Sequence, residues 1–263
     1  MLRKLEAMSV VPDCSIVPHR SADPAEVRRL VAHHGAAVLT GQGPSEAEAR
    51  AAIAAVFAGS VLALPDAAAV REGGDKDRKA YGTADALPLH TDGFAYGDRA
   101  PDHFGLSCVR QGEAGGESVL VDSYRLLDVI DPELRAFLTE TVVDHAEPDM
   151  HPAVSPLAIV TAHDRLAVRR VPWVRPAPDD ADPARTEGLL ERCRLAVLDQ
   201  HAAARRFTLQ AGDVAVIDNY RVLHGREPYQ GDRLMWRVWV WTASGNGVPG
   251  GMLHSDSRYA VTT

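Results

Sequence analysis

Two histidines and one aspartate in this chain offer side chains that could bind a single metal ion. His90 and Asp92 are two residues apart, and His224 lies far along the chain. On an extended segment, side chains two apart point to the same side, so His90 and Asp92 can chelate one ion. Two imidazoles and one carboxylate on one face of a metal leave three positions open. That set suits a non-haem Fe(II) that binds a cosubstrate and oxygen, with His224 arriving from a distant strand.

By itself, the His-x-Asp pattern is a weak signal, because a capping aspartate next to a hydrogen-bonded core histidine gives the same letters. The pair, however, is part of an ordered series of motifs: LPLHTDG at 87–93, GGES at 115–118, GDVAVIDN at 212–219, HGR at 224–226 and RLMWR at 233–237. This series resembles the taurine dioxygenase and clavaminate synthase-like family of Fe(II)- and 2-oxoglutarate-dependent oxygenases. The resemblance extends from about Gly35 to about Trp241 and implies that His90, Asp92 and His224 bind Fe(II).

The predicted elements give an α+β chain that is mainly β. Capping residues and apolar periodicity predict one helix that ends at Gly35, a second that begins at Ser45 with Glu48 completing a capping box, and a third over 183–205. Short strands are predicted at 36–40, 104–109, 118–121, 158–161, 166–174, 213–217 and 234–241. The family resemblance sharpens this to a double-stranded β-helix, or jelly roll, with flanking helices, and to one oxygenase domain over residues 1–263.

Two arginines follow His224 on an apolar strand and could bind the cosubstrate. Arg233 and Arg237 are four apart, so both point to one face of a strand, and the planar guanidinium matches a carboxylate in two parallel bonds. The resemblance implies that Arg233 binds the distal carboxylate of 2-oxoglutarate with the Ser118 hydroxyl. Arg237 would lie nearer the iron and touch the cosubstrate or an acidic group of the substrate. The alternative turns both arginines outward, with Leu234 and Trp236 in the core.

The residues that would select the substrate are less sharply marked. Phe94 and Tyr96 follow the ligand pair and could line the pocket, although core packing explains two aromatic residues equally well. Arg226 could bind a substrate carboxylate or could tie down its loop through Asp218 or Asp232.

The resemblance also bears on the reaction. Family members that bind taurine carry asparagine four residues before the first iron histidine, and Ala86 stands there in this chain, which disfavours taurine. Halogenating relatives lack the carboxylate ligand, so Asp92 favours hydroxylation of a small polar substrate such as an amino acid or natural-product intermediate. Desaturation, epoxidation and ring formation remain open.

Residues 71–86 are charged, contain glycine and have no apolar period. Their position just before His90 suits a mobile lid over the site, and a solvated loop without a role is the equal alternative.

Bulk properties limit the partners and the compartment. A formal charge of −8 and a pI of about 5.7 argue against nucleic acid as the main partner. Three widely spaced cysteines without a Cys-x-x-Cys motif indicate free thiols in a reducing cytoplasm. No apolar stretch approaches the roughly 20 residues that span a bilayer, and Pro12 interrupts any signal-peptide core. We therefore expect a cytoplasmic enzyme with a small-molecule substrate, and its oligomeric state stays open.

Two other classes could use the same residues. A zinc hydrolase can employ two histidines and an aspartate, but it needs a general base nearby and has no use for two inward arginines. A non-catalytic jelly-roll binding protein would keep the fold without the metal ligands. Oxygen-dependent formation of succinate separates the oxygenase from both.

Overall fold

The computed structural model describes residues 12–71, 84–146 and 153–256, and the chain is a mixed α/β protein made mainly of sheet. Its helices are α1 Pro24–His34, α2 Glu46–Val56, α3 Ser123–Val129, α4 Pro132–Glu140 and α5 Pro183–Ala203. A short 3-10 helix covers Phe94–Arg99. Among the described residues, every helix is too short or too polar to cross a membrane.

Local capping explains where α1 begins and ends and where α2 begins. The Asp23 side chain accepts from the Ala25 amide at the start of α1, and Gly35 ends that helix with a φ of 84°. Ser45 and Glu48 form the predicted capping box of α2. Both predictions are confirmed because these contacts involve residues close in sequence.

The strands are short and follow one another closely through the chain. They are β1 His19–Ser21, β2 Ala36–Leu39, β3 Val61–Ala63, β4 Ala68–Arg71, β5 Leu87–His90, β6 His103–Arg110, β7 Ala114–Gly115, β8 Ser118–Asp122, β9 Val143–Asp144, β10 Val154–Ser155, β11 Ala158–Val160, β12 Leu166–Val168, β13 Arg175–Pro176, β14 Arg206–Phe207, β15 Val214–Asp218, β16 Val222–Arg226, β17 Tyr229–Gln230 and β18 Leu234–Thr242. Minor sheets join β10-β9-β13, β11-β12 and β17-β7.

The larger of the two main sheets has seven strands in the order β1-β2-β15-β6-β18-β3, with β4 also paired to β18. Side chains alternate along β18, as period two requires. Val238 and Val240 pack with α1 and α2 on the outer face, whereas Trp239 and Trp241 lie on the inner face. Arg237 has the same parity as these tryptophans, which places it on the inner face.

The second main sheet has four strands in the order β14-β8-β16-β5. Leu120 and Val222 of this sheet join Phe104 and Trp239 of the larger sheet in one buried cluster between the two. On its other face, Leu89 and Leu223 pack against helices α3 and α5. His90 and His224 therefore lie on strands whose neighbouring residues are fixed by packing on both sides, and Asp92 follows the first of these strands.

Candidate active site

The three predicted metal ligands come together although more than 130 residues separate the first from the last. Strand β16 pairs antiparallel with β5 and places His224 directly opposite His90. Their ring centroids are 4.2 Å apart. Asp92 follows β5, and one ligand atom from each of the three residues lies within 4.8 Å of the others. Among the described residues, this is the cluster of histidine, cysteine and acidic side chains that could hold a metal ion.

Backbone geometry orients the first two ligands. The Nδ1 atom of His90 lies 2.9 Å from the carbonyl oxygen of Pro88, so a proton donated there leaves Nε2 as the metal-binding nitrogen. Oδ1 of Asp92 lies 3.6 Å from that Nε2 and 3.9 Å from Nε2 of His224. Gly93 has a φ of 83°, and a Cβ there would lie 2.4 Å from Cδ of Pro101, so glycine permits this turn.

The protonation states favour metal binding. Burial lowers the pKa of His224 to about 3, helped by the neighbouring His90, so the imidazole is neutral and can offer a lone pair. For Asp92, burial acts to raise the pKa, but the charge of Arg237 and contacts with both histidines outweigh it and hold the pKa below its ordinary value. At neutral pH the site therefore presents a neutral His224 imidazole and an ionised Asp92 carboxylate, beside the Nε2 atom of His90.

Two residues that support Asp92 were not predicted as site residues. The amide oxygen of Asn219 accepts from the Asp92 backbone N–H at 2.9 Å, and its Nδ2 donates to the Asp92 carbonyl at 3.0 Å. The indole N–H of Trp239 donates to Oδ2 of Asp92 at 2.8 Å. The sequence held a signal that could have identified both residues as site residues. Asn219 ends one of the motifs, and Trp239 shares the strand face of Arg237.

A pocket opens beside the ligands and encloses about 630 Å³ of empty space, part of it open to solvent. Its described lining includes both histidines, Ser118 and the three arginines of the motif series: Arg226, Arg233 and Arg237. The alternative that turns Arg233 and Arg237 outward does not match this arrangement.

Arg233 is 2% exposed, and its Nε is buried without a hydrogen-bond partner. Burial, together with the nearby charge of Arg226, lowers its pKa to about 10. In the described part of the chain no carboxylate pairs with Arg233, and its guanidinium lies 5.6 Å from the ring centroid of Tyr229. A buried cation of this kind is costly unless an anion joins it, which makes it the natural partner for a ligand carboxylate.

Arg226 lies on β16 directly opposite Ser118 of β8. Its guanidinium is stacked on Tyr229 at 4.5 Å and donates to the main-chain oxygen of Asp85. The two acids named as its alternative loop partners are bound by other arginines.

Those other pairs are well defined. Asp218 pairs with Arg165 at 2.8 Å, and Asp232 pairs with Arg110. The prediction that Arg226 contacts the substrate stays a prediction, and its position opposite Ser118 brings it close to the end of the pocket that holds Arg233.

Arg237 lies closer to the metal ligands than Arg233 does. Its Nη1 is 3.3 Å from Oδ1 of Asp92, its Nε donates to the Ser255 carbonyl at 2.9 Å, and its Nη2 is 4.0 Å from a carboxylate oxygen of Asp256. Two protein carboxylates thus already flank this guanidinium. Its contact with cosubstrate or substrate stays a prediction.

The aromatic residues proposed for the pocket are buried in the core. Phe94 packs edge-on against Trp173 with ring centroids 5.4 Å apart. The Tyr96 hydroxyl lies 2.9 Å from the His254 amide nitrogen, which donates to it, and the ring packs against Trp239 and Trp241. Neither belongs to the described lining of the pocket, so the core alternative accounts for both positions, and substrate contact remains a prediction.

The predicted lid over 71–86 lies largely outside the described residues, which omit 72–83. At its described end, the Ala84 carbonyl accepts from the Tyr229 amide at 2.9 Å, and Asp85 and Ala86 line the pocket. Residues 84–86 therefore adjoin the site, and the motion of the predicted lid remains a prediction.

Comparison with known proteins places these residues in context. The family described as "Taurine catabolism dioxygenase TauD, TfdA family" matches residues 13–239. Gamma-butyrobetaine dioxygenase of Pseudomonas sp. strain AK-1 is 32% identical over 176 residues, covering 62% of this chain and 45% of that protein. The 3-((Z)-2-isocyanoethenyl)-1H-indole synthase of Fischerella ambigua strain UTEX 1903 is 24% identical over 160 residues, covering 54% and 58%. The chain thus spans about half the length of the curated relatives it matches.

A solved structure shows the same fold. An asparagine oxygenase in complex with Fe(II), 2S,3S-3-hydroxyasparagine and succinate superposes with a TM-score of 0.66 at 19% identity. The match covers 87% of this chain and 84% of that protein.

Proposed function

The chain belongs to the taurine catabolism dioxygenase TauD, TfdA family, and we propose that it is an Fe(II)- and 2-oxoglutarate-dependent oxygenase. The observation that carries the proposal is the convergence of His90, Asp92 and His224 at a pocket that also contains the buried Arg233. The ligand set suits an iron that keeps positions open, and the guanidinium suits a dicarboxylate cosubstrate.

The residues fit both groups. The imidazoles of His90 and His224 and the ionised Asp92 would hold Fe(II), with the His90–Pro88 contact fixing which nitrogen of His90 binds. When bound, Fe(II) and 2-oxoglutarate supply the activation of oxygen that is coupled to conversion of 2-oxoglutarate into succinate and CO2. A zinc hydrolase would need a general base beside the metal, whereas the described pocket lining offers three arginines together with Asp85, an exposed residue whose main-chain oxygen accepts from Arg226.

The protein orients the cosubstrate by charge and shape. Arg233 would bind the distal carboxylate, and Ser118 would donate its hydroxyl to the same group. Arg226, stacked on the Tyr229 ring that Arg233 also contacts, adds positive charge at this end of the pocket. Apolar side chains of Val70, Phe104 and Leu106 line the same pocket, which lowers the local polarity and strengthens each charged contact.

The substrate that we propose is a small polar molecule, such as an amino acid or a natural-product intermediate, and the reaction is hydroxylation of an unactivated C–H bond. Support comes from the hydroxyasparagine in the related asparagine oxygenase and from the names of the two curated relatives. Ala86 lines the pocket at the position where taurine-binding relatives have asparagine, which disfavours taurine.

The fold that the family implies is a double-stranded β-helix, and the packing of the four-stranded sheet against the seven-stranded sheet supports it. We propose that the chain is one oxygenase domain. Its three cysteines are free thiols, which is in keeping with a reducing compartment such as the cytoplasm. Neither a nucleic acid nor a membrane is part of the proposed reaction.

A mass-resolved substrate panel tests the proposed reaction. The protein is incubated in air with Fe(II), 2-oxoglutarate and a mixture of amino acids and small natural-product acids, and products are read by mass spectrometry. We expect one component to gain a single oxygen atom, with succinate formed in equal amount. Loss of two hydrogens instead would identify desaturation or ring closure. Substrate conversion without succinate would contradict the proposal.

A further inference from the structure

The two oxygens of the Asp92 carboxylate have different surroundings. Oδ1 faces the imidazole nitrogens of His90 and His224 at 3.6 and 3.9 Å. Oδ2 accepts the indole N–H of Trp239 at 2.8 Å. The oxygen that faces the other ligands is therefore distinct from the oxygen that the indole holds.

The indole is a rigid donor. Trp239 is 1% exposed, its backbone amide donates to the Ser255 hydroxyl at 3.0 Å, and Arg237 lies over its ring at 4.9 Å. An indole N–H can only donate and stays neutral at any pH that the protein survives. Turning Oδ2 toward the two imidazoles would break this bond and leave a buried N–H without a partner, which is unfavourable.

We propose that Trp239 is a positioning residue that keeps Asp92 bound to the metal through Oδ1 alone. A carboxylate can bind a metal through one oxygen or through both, and binding through both would fill a position that the cosubstrate needs. The indole removes that option by engaging Oδ2. This inference rests on the proposed function, because it concerns the same metal site.

The chain provides a matched control two residues along the same strand. Trp241 is also 1% exposed and lies in the same buried cluster, but its indole N–H donates to the Arg99 carbonyl at 2.7 Å. Trp239→Phe and Trp241→Phe each remove one indole hydrogen bond from a buried ring. Only the first removes a contact to a metal ligand.

The experiment measures binding of Mn(II), which does not require oxygen, to wild type and to both variants. We expect Trp239→Phe to raise the Mn(II) Kd about 10- to 100-fold, the effect typical of losing a residue that supports a metal ligand. For Trp241→Phe the Mn(II) Kd should stay within about threefold of the wild-type value. We expect both variants to lower the melting temperature by similar amounts. The electron paramagnetic resonance spectrum of bound Mn(II) should change in Trp239→Phe alone, because only there does the carboxylate gain a second free oxygen.

The inference is overturned if Trp239→Phe matches wild type in Kd and spectrum, or if both variants weaken Mn(II) binding equally. A second measurement uses the wild-type chain and so does not depend on how the variants fold. In the protein loaded with diamagnetic Zn(II), the Trp239 indole proton should exchange slowly with solvent, and fast exchange would contradict the proposal. If wild type fails to bind Mn(II) at all, the proposed function itself is wrong. Normal wild-type binding with an unaffected Trp239→Phe refutes the positioning role alone.

Discussion

His224→Ala is expected to abolish iron-dependent turnover and to weaken binding of the metal at least about 100-fold. The variant loses one of three strong donors, and the loss should exceed the 10- to 100-fold effect of removing a residue that only supports a ligand. Iron content per chain after anaerobic loading and desalting, together with the rate of 2-oxoglutarate consumption, measures both effects.

His145→Ala serves as the control for this variant. His145 is a buried imidazole whose pKa burial also lowers to about 3, but it contacts Ser155 rather than the proposed site. We expect the His145→Ala variant to retain one iron per chain even if its thermal stability falls. Full iron content and full activity in His224→Ala would contradict the assignment of the third ligand.

The second large effect is expected at Arg233. Arg233→Ala leaves the distal carboxylate of 2-oxoglutarate without its cation, and losing a buried charge-assisted contact costs about 2–5 kcal/mol. That range corresponds to a roughly 30- to 4,000-fold rise in the Kd for 2-oxoglutarate. Calorimetric titration of the anaerobic, Mn(II)-loaded protein measures it, and the affinity for the primary substrate should change far less.

The same variant should not lose thermal stability in the absence of ligands. The Arg233 guanidinium has no acidic partner in the described part of the chain, so the folded state gains little from its charge. Arg110→Ala is the control, because Arg110 is exposed and pairs with Asp232, the residue before Arg233. This variant should leave the Kd for 2-oxoglutarate unchanged. Unaltered 2-oxoglutarate binding in Arg233→Ala would assign the distal carboxylate to Arg237 instead.

Local signals in the sequence account for the parts of the fold that were predicted well. Both ends of α1 and the start of α2 follow from Asp23, Gly35, Ser45 and Glu48, whose contacts involve only neighbouring residues. On α5 the apolar residues are not all buried, since Leu195 and Leu198 are 52% and 57% exposed. Amphipathic spacing shows that a helix has an apolar face, but the width of that face depends on which elements pack against it.

In the candidate site, too, local sequence signals predict some features, whereas others depend on the tertiary fold. Residue types and spacing point to His90 and Asp92 as a pair, while the meeting with His224 depends on the pairing of β16 with β5, which no local signal specifies. The support of Asp92 by Trp239 joins residues 147 positions apart, and it becomes visible only when both sheets are in place. Phe94 and Tyr96 illustrate the converse, because closeness in sequence to the ligands did not bring their side chains into the described pocket lining.

The most direct test of the central claim is release of CO2 from 2-oxoglutarate labelled at its C1 carboxylate. Wild-type protein is compared with Fe(II) in air, with Fe(II) under nitrogen and with Zn(II) in air. The proposed function predicts labelled CO2 and an equal amount of succinate only in the incubation with Fe(II) in air. The rate of release there should rise once the substrate identified by the panel is added. Equal release under nitrogen, or no release with Fe(II) in air when that substrate is present, would contradict it.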